Sequence, residues 1–225
     1  WFEEHAFDQC YKTRIYSKES GLPLWEREID GKRFSITLTL TPWWTPEGEL
    51  SICLLVDEKR LHALSFNWMD GSIAGLALPT VPFIGRNQSA ALHVPHEMAA
   101  FNQAFPNNSP SFFCFAAMQG VAKAIGSSHI VAIKGNVSIC FTSKDKEKSN
   151  FANAYDKFWM SLGGIEMPCG KYLIALPFYS KPLEKIDAKH RKRASMRRSF
   201  WNDISSSTHE TLRPHVIVRE VSAAS

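Results

Sequence analysis

Between residues 34 and 41 apolar and polar positions alternate: Phe34, Ile36, Leu38 and Leu40 against Ser35, Thr37, Thr39 and Thr41. A period of two predicts a strand with one buried face. The stretch 42–48 holds two prolines and two tryptophans and reads as a turn. Residues 49–57 and 61–68 predict two more strands, joined by polar Asp57, Glu58, Lys59 and Arg60, which is the signal of an antiparallel meander. Residues 81–88 predict a short fourth strand, with Pro82 at its start where a missing donor is tolerated. Residues 1–30 show no clear period.

The pattern then changes to helical spacing. Ser109 and Pro110 suit a helix start, with Ser109 as the cap, a role worth ~1 kcal/mol. Phe112, Phe113, Phe115, Met118, Val121 and Ile125 spread around the helix, so it is expected to be largely buried, with Gly126 as its stop. A strand follows at 129–133. A charged loop spans 144–150. A second helix is expected at 151–162, ended by Gly163 and Gly164 with at least one of them left-handed. Residues 172–178 read as a strand and 182–204 as a long basic helix. The order predicts a single α/β domain over 1–225, with a mixed, mostly antiparallel central sheet flanked by helices.

Composition adds limits. With 44% hydrophobic residues in 225, the chain can bury a full core. No apolar run reaches the ~18 residues of a membrane helix. A net charge of +4 is too mild to suggest nucleic acid, although much of the excess sits between Lys181 and Arg198. The five cysteines are scattered, without a CxxC. That predicts a reducing, cytoplasmic compartment, no disulfide framework and no structural zinc.

The block Tyr155-Asp-Lys-Phe-Trp-Met-Ser-Leu-Gly-Gly164 resembles the YD-x-FW-x-SLGG signature of the VirK/YbjX family of bacterial proteins. Glu47 to Leu50, Pro82 to Ser89, Gln119 to Gly126, Tyr172 to Pro177 and the basic run His190 to Arg193 with Arg197 and Arg198 are similar to further family features. The resemblance covers roughly residues 33–204. It departs at Asn107-Asn108-Ser109-Pro110, where the family usually has Gly-Leu-Arg-Pro, and at Gln88-Ser89, where it often has Gln-Gly. The resemblance implies an association with virulence, envelope remodelling and tolerance of antimicrobial peptides, but no established reaction.

The element order also resembles the GNAT acyltransferase fold, in which a phosphate-bearing cofactor docks at the amino end of the helix after the fourth strand. Helix amino ends favour anions. By that analogy the cofactor-binding candidates are Asn108, Ser109, Ser111, Phe112 and Phe113, with first-turn N–H groups aimed at the ligand, and Arg86 as a bidentate phosphate contact. The donor would be acyl-CoA or an acyl carrier protein. The late helix of that fold often carries a tyrosine acid; Trp159 stands at its place, and Tyr155 is the nearby substitute. The glycine-rich pyrophosphate loop of the fold is missing.

His93-Val-Pro-His96-Glu97 is a second candidate. Pro95 argues against the helix of an HExxH metal motif, so a polar loop without metal is expected, with His96 and Glu97 as general-base candidates. The basic helix is the third. Its cations suit an anionic lipid surface or another partner, and equally a solvated face packed on the domain. Two functions remain open. One is acyl transfer to a peptide, protein or envelope lipid. The other is a non-catalytic accessory protein that contacts a partner or, peripherally, a membrane through that helix.

Overall fold

The computed structural model describes residues 5–16, 21–45, 47–90, 92–139, 141, 149 and 151–217. Helix α1 (Gln9–Tyr16) precedes strands β1 (Leu22–Ile29), β2 (Lys32–Leu40), β3 (Leu50–Val56), β4 (Lys59–Met69) and β5 (Val81–Ser89). Helices α2 (Pro95–Ala104) and α3 (Pro110–Ala124) lead to β6 (His129–Ile133). A π-helical turn (Asn153–Lys157) runs into α4 (Phe158–Ser161), followed by β7 (Ile165–Met167), β8 (Lys171–Ala175) and α5 (Ala188–Leu212). The strands form one eight-stranded sheet in the order β1-β2-β3-β4-β5-β6-β8-β7. Among the described strands β5 and β6 pair in parallel and the other neighbours are antiparallel. The expected mixed, mostly antiparallel sheet with flanking helices is therefore present.

The alternating run folds as expected, with Phe34, Ile36 and Leu38 on the buried face. Two tight hairpins set its register. Asp30 and Gly31 have φ of 51° and 71°, and Asp57 and Glu58 have 46° and 70°. Two successive left-handed residues match the twist of the flanking strands. Asp57 also accepts from the Arg33 N–H (3.0 Å) and from Lys32 Nζ (2.6 Å), which ties the second turn to β2.

Helix α3 lies against β3, β4 and β5, and α5 packs on α3 and β1. Eleven of the fifteen residues of α3 are buried, as a helix apolar on most sides must be. Helix α5 buries Ala194, Trp201, Ile204, Ser205, Thr208 and Leu212, one stripe at helical spacing. Its polar groups also reach β1: Asp203 accepts from the Trp25 indole (2.8 Å), and Ser207 donates to the Leu24 carbonyl (2.7 Å). At the far end, Phe7 forms an antiparallel bridge with Val216, and the Asp8 N–H donates to the His215 carbonyl (2.9 Å).

The structure corrects several boundaries. Residues 1–30 contain α1 and β1, and a bulge between Pro23 and Trp25, which buries Leu24 and Trp25 in succession, breaks the strand period. Pro95 opens α2 rather than preventing it, because the first helical position needs no N–H donor. The 151–162 helix is interrupted by the π turn. Gly163, at φ 84°, supplies the left-handed stop, whereas Gly164 has no positive φ. The basic helix spans Ala188–Leu212, later than 182–204. Ser109 sits at the amino end of α3 but makes no side-chain cap; its Oγ pairs with Ser111 Oγ at 2.9 Å. The 144–150 stretch lies outside the described residues, Ser149 apart.

Gly120 permits the close crossing of α3 and α5. A Cβ there would stand 2.5 Å from the Ser205 carbonyl oxygen and 2.6 Å from Thr208 Cβ. Gly120→Ala must push the helices apart, and overpacking of this kind costs about 1–3 kcal/mol. Urea denaturation of the variant is expected to show that loss despite alanine's better helix propensity.

Candidate functional site

The parallel pair is short. Phe83 faces Val131 and Ile84 faces Ala132, after which β5 and β6 part. Beyond that point backbone groups on the facing edges need other partners. The π turn and α4 provide them. The Asn87 N–H donates to the Tyr155 hydroxyl (3.3 Å), and the Trp159 indole donates to the Ile133 carbonyl (2.9 Å). The same wedge is fixed by the Asn87 amide, whose Nδ2 donates to the Ala154 carbonyl at 2.6 Å. π turns are common at functional sites because they redirect a side chain or carbonyl out of helical register.

That last bond sets the orientation of the Asn87 amide, since the reverse would oppose two oxygens. Asn87 Oδ1 then faces His62 Nε2 at 2.7 Å, so Nε2 carries the proton and Nδ1 holds the lone pair. His62 is buried, and its pKa is lowered to about 4. Burial is the largest cause; Arg86 nearby acts in the same direction, while the Asn87 bond opposes both. The ring is neutral at pH 7.

Tyr155 is 1% exposed, and burial raises its phenol above the ordinary value. The Asn87 N–H and the nearby Gln88 side chain act against that rise. Gln88 Oε1 in turn accepts from Arg86 Nε (3.1 Å) and Nη2 (2.9 Å), and Arg86 Nη1 lies 3.8 Å from buried Glu47. A polar chain thus runs from Tyr155 through Asn87 to His62, and the Glu47, Arg86 and Gln88 group lies beside it, with Arg86, Asn87 and Gln88 successive on β5.

Two adjoining hollows flank the chain and share Asn87, Ser89 and Ala154. One, of about 240 Å³, is also lined by His62, Ser109, Pro110, Ser111, Asn153 and Phe158. The other, of about 190 Å³, is lined by Gln88, Phe151 and Tyr155 as well. A larger hollow of about 660 Å³ at the other end of α3 has Lys123 as its single ionisable lining residue.

The structure brings only some of the expected residues here. Ser109 and Ser111 line the first hollow, and Tyr155 lines the second. Arg86 does not line the helix start; it alternates with Asn87 along β5 and is engaged by Gln88 and Glu47. The N–H groups of Phe112 and Phe113 do not point to a ligand, because both donate to the Ser109 carbonyl (3.1 and 3.4 Å). The Phe113 ring is buried against Trp25, Phe101 and Phe105. Asn108 faces α5, where its Oδ1 accepts from the Trp201 indole (3.0 Å). His96 is exposed. Glu97 is held by Lys59 Nζ at 2.7 Å, which lowers its pKa, and neither His96 nor Glu97 lines the hollows. Sequence reasoning missed His62, which sits inside an apolar strand with no flanking motif.

Among the described residues no group of three His, Cys, Asp or Glu is placed to hold a metal. No described helix is long and apolar enough to cross a membrane.

The His62 environment gives a pH signature. Unfolded, the imidazole titrates near 6.5; folded, near 4. The unfolded state therefore binds more protons between these values, and stability falls as pH drops through that window. Denaturation at pH 7 and pH 5 is expected to differ by ~2 kcal/mol from this group, and His62→Gln should remove that part of the slope.

No curated protein and no solved structure matches the chain. A family defined by sequence does. Its pattern matches residues 2–210, taking in the sheet, the splayed strands and most of α5. The chain belongs to DUF535, described as a protein family of unknown function, which includes the VirK and YbjX proteins.

Proposed function

We propose that this protein transfers an acyl group from a thioester donor, acyl-CoA or an acyl carrier protein, to a peptide, protein or envelope lipid. One observation carries the reading. The parallel pair β5–β6 splays beside the amino end of α3, and a neutral histidine and a protonated tyrosine meet at the gap through Asn87. The element order around that gap resembles that of the GNAT acyltransferase fold.

The hollow near His62 has room for about eight waters at ~30 Å³ each. That suits a thioester carbonyl with a short acyl chain, while the rest of a donor stays outside. In this reading His62 Nδ1 takes the proton as the acceptor's nitrogen or oxygen bonds to the acyl carbon. Tyr155 gives its proton to the sulfur as the carbon–sulfur bond breaks. Exchange with solvent restores both groups. Burial keeps the imidazole unprotonated and the phenol protonated at neutral pH, while making the first a weaker base and the second a weaker acid than when free in water.

The accessory-protein reading has its own support in the exposed Lys189, Arg191, Lys192 and Arg193 at the start of α5. Here the helix would meet a partner or an anionic surface without chemistry at β5.

Mass spectrometry separates the two. Incubation with acyl-CoA or acyl-carrier-protein donors and mixed peptide and lipid acceptors is expected to yield acylated product. His62→Gln and Tyr155→Phe should each slow it by ~100-fold or more. Absence of transfer from both donor classes, with binding to anionic vesicles retained, would favour the accessory role.

A further inference from the structure

Away from the His62 hollow, the loop before α3 meets the basic half of α5. Asn107 is left-handed at φ 65°, and its backbone and side-chain oxygens are both used. Arg197 Nη1 lies 3.4 Å from its carbonyl oxygen, and Arg193 Nη1 donates to its Oδ1 at 3.3 Å. Next to it, Asn108 Oδ1 accepts from Trp201, and the Arg197 guanidinium lies 5.3 Å from the centre of the Trp201 ring. Asn108, Trp201 and Arg197 are thus mutual neighbours.

Two donors in this group are buried without a partner: Asn108 Nδ2 and Arg197 Nε. An unsatisfied buried donor is costly, more so on a charged group. The charge is uncompensated too. Among the described residues Arg193, Arg197 and Arg198 make no ion pair with a carboxylate, whereas Arg27 and Arg33 each do. The Arg197 guanidinium is pushed below its usual range by burial first, then by Arg193 and Arg198. Three like charges thus crowd this end of α5 with no carboxylate among the described residues to offset them.

We propose that Arg193, Arg197 and Asn108 form a phosphate-binding site on the α5 side of the α3 amino end. A doubly charged phosphate or diphosphate suits neighbouring guanidinium groups better than a single carboxylate, and guanidinium forks match its oxygens. The inference is independent of acyl transfer, because it concerns binding alone and uses other residues.

Calorimetry with inorganic pyrophosphate at low ionic strength tests it. The intact protein is expected to bind. Arg197→Met and Arg193→Gln should each weaken binding tenfold or more, while Arg213→Gln, beyond the far end of α5, should not. In phosphate-free buffer Arg197→Met should also raise Tm, because it removes a half-buried charge that has no carboxylate partner among the described residues; exposed Arg193→Gln should leave Tm unchanged. No pyrophosphate binding by the intact protein, or undiminished binding by both variants, overturns the site. A lowered Tm in Arg197→Met makes that arginine a structural brace and overturns it too. Coenzyme A is the second probe. If it binds and the same variants lose it, the site holds a donor's diphosphate. If pyrophosphate binds and coenzyme A does not, the site stands and the CoA form of the acyl donor falls.

Discussion

Past Ile84 the β5 backbone leaves β6, and the sheet acquires two facing edges in its interior. In the middle of a sheet, unpaired N–H and carbonyl groups are a liability that something must cover. Here the cover is a wedge of side chains: Tyr155 takes the Asn87 N–H and Trp159 donates to the Ile133 carbonyl. The π turn follows from this, since it aims the Ala154 carbonyl and the Tyr155 ring at the same β5 residue. So does the state of His62, because Asn87 can present Oδ1 to the imidazole only while its Nδ2 is held by Ala154.

The YD-x-FW-x-SLGG block gains a physical account from the same geometry. Tyr155 and Trp159 cover the strand edges. Asp156 Oδ1 accepts from the Gly135 N–H just after β6 (3.1 Å). Phe158 packs edge-on against Phe112 and Phe115, and Gly163 turns the chain toward β7. In this structure the block is one device that holds two diverging strands at a fixed distance, and the candidate chemistry is built onto it.

How much was legible in the sequence follows from which forces act locally. Strands β2 to β6 were readable because their apolar period and turn residues lie within a few positions of each other. Helix α3 was readable from its phenylalanines. The β5–β6 splay was not, since it depends on where a segment some seventy residues later places its side chains. His62 was hidden for a related reason: its neighbours Leu61, Ala63 and Leu64 announce a buried strand and say nothing of an amide waiting on β5. Arg86 misled, because alternation along β5 turns it toward Glu47 and away from the helix start. His96 and Glu97 misled because a compact His-Pro-His-Glu cluster looks like chemistry, yet its carboxylate is spent on Lys59 at the surface.

The α3–α5 crossing bears on the order of events during synthesis. Helix α3 is buried largely by elements made before it, but the flank carrying Gly120 has no cover until residues 194–212 exist. The Phe7–Val216 bridge waits longer still. A nascent chain that has emerged only as far as β8 therefore carries a nearly complete sheet with an apolar helix flank open to water. Such an intermediate is a substrate for chaperones, and protection of the α3 flank comes with the arrival of the basic helix.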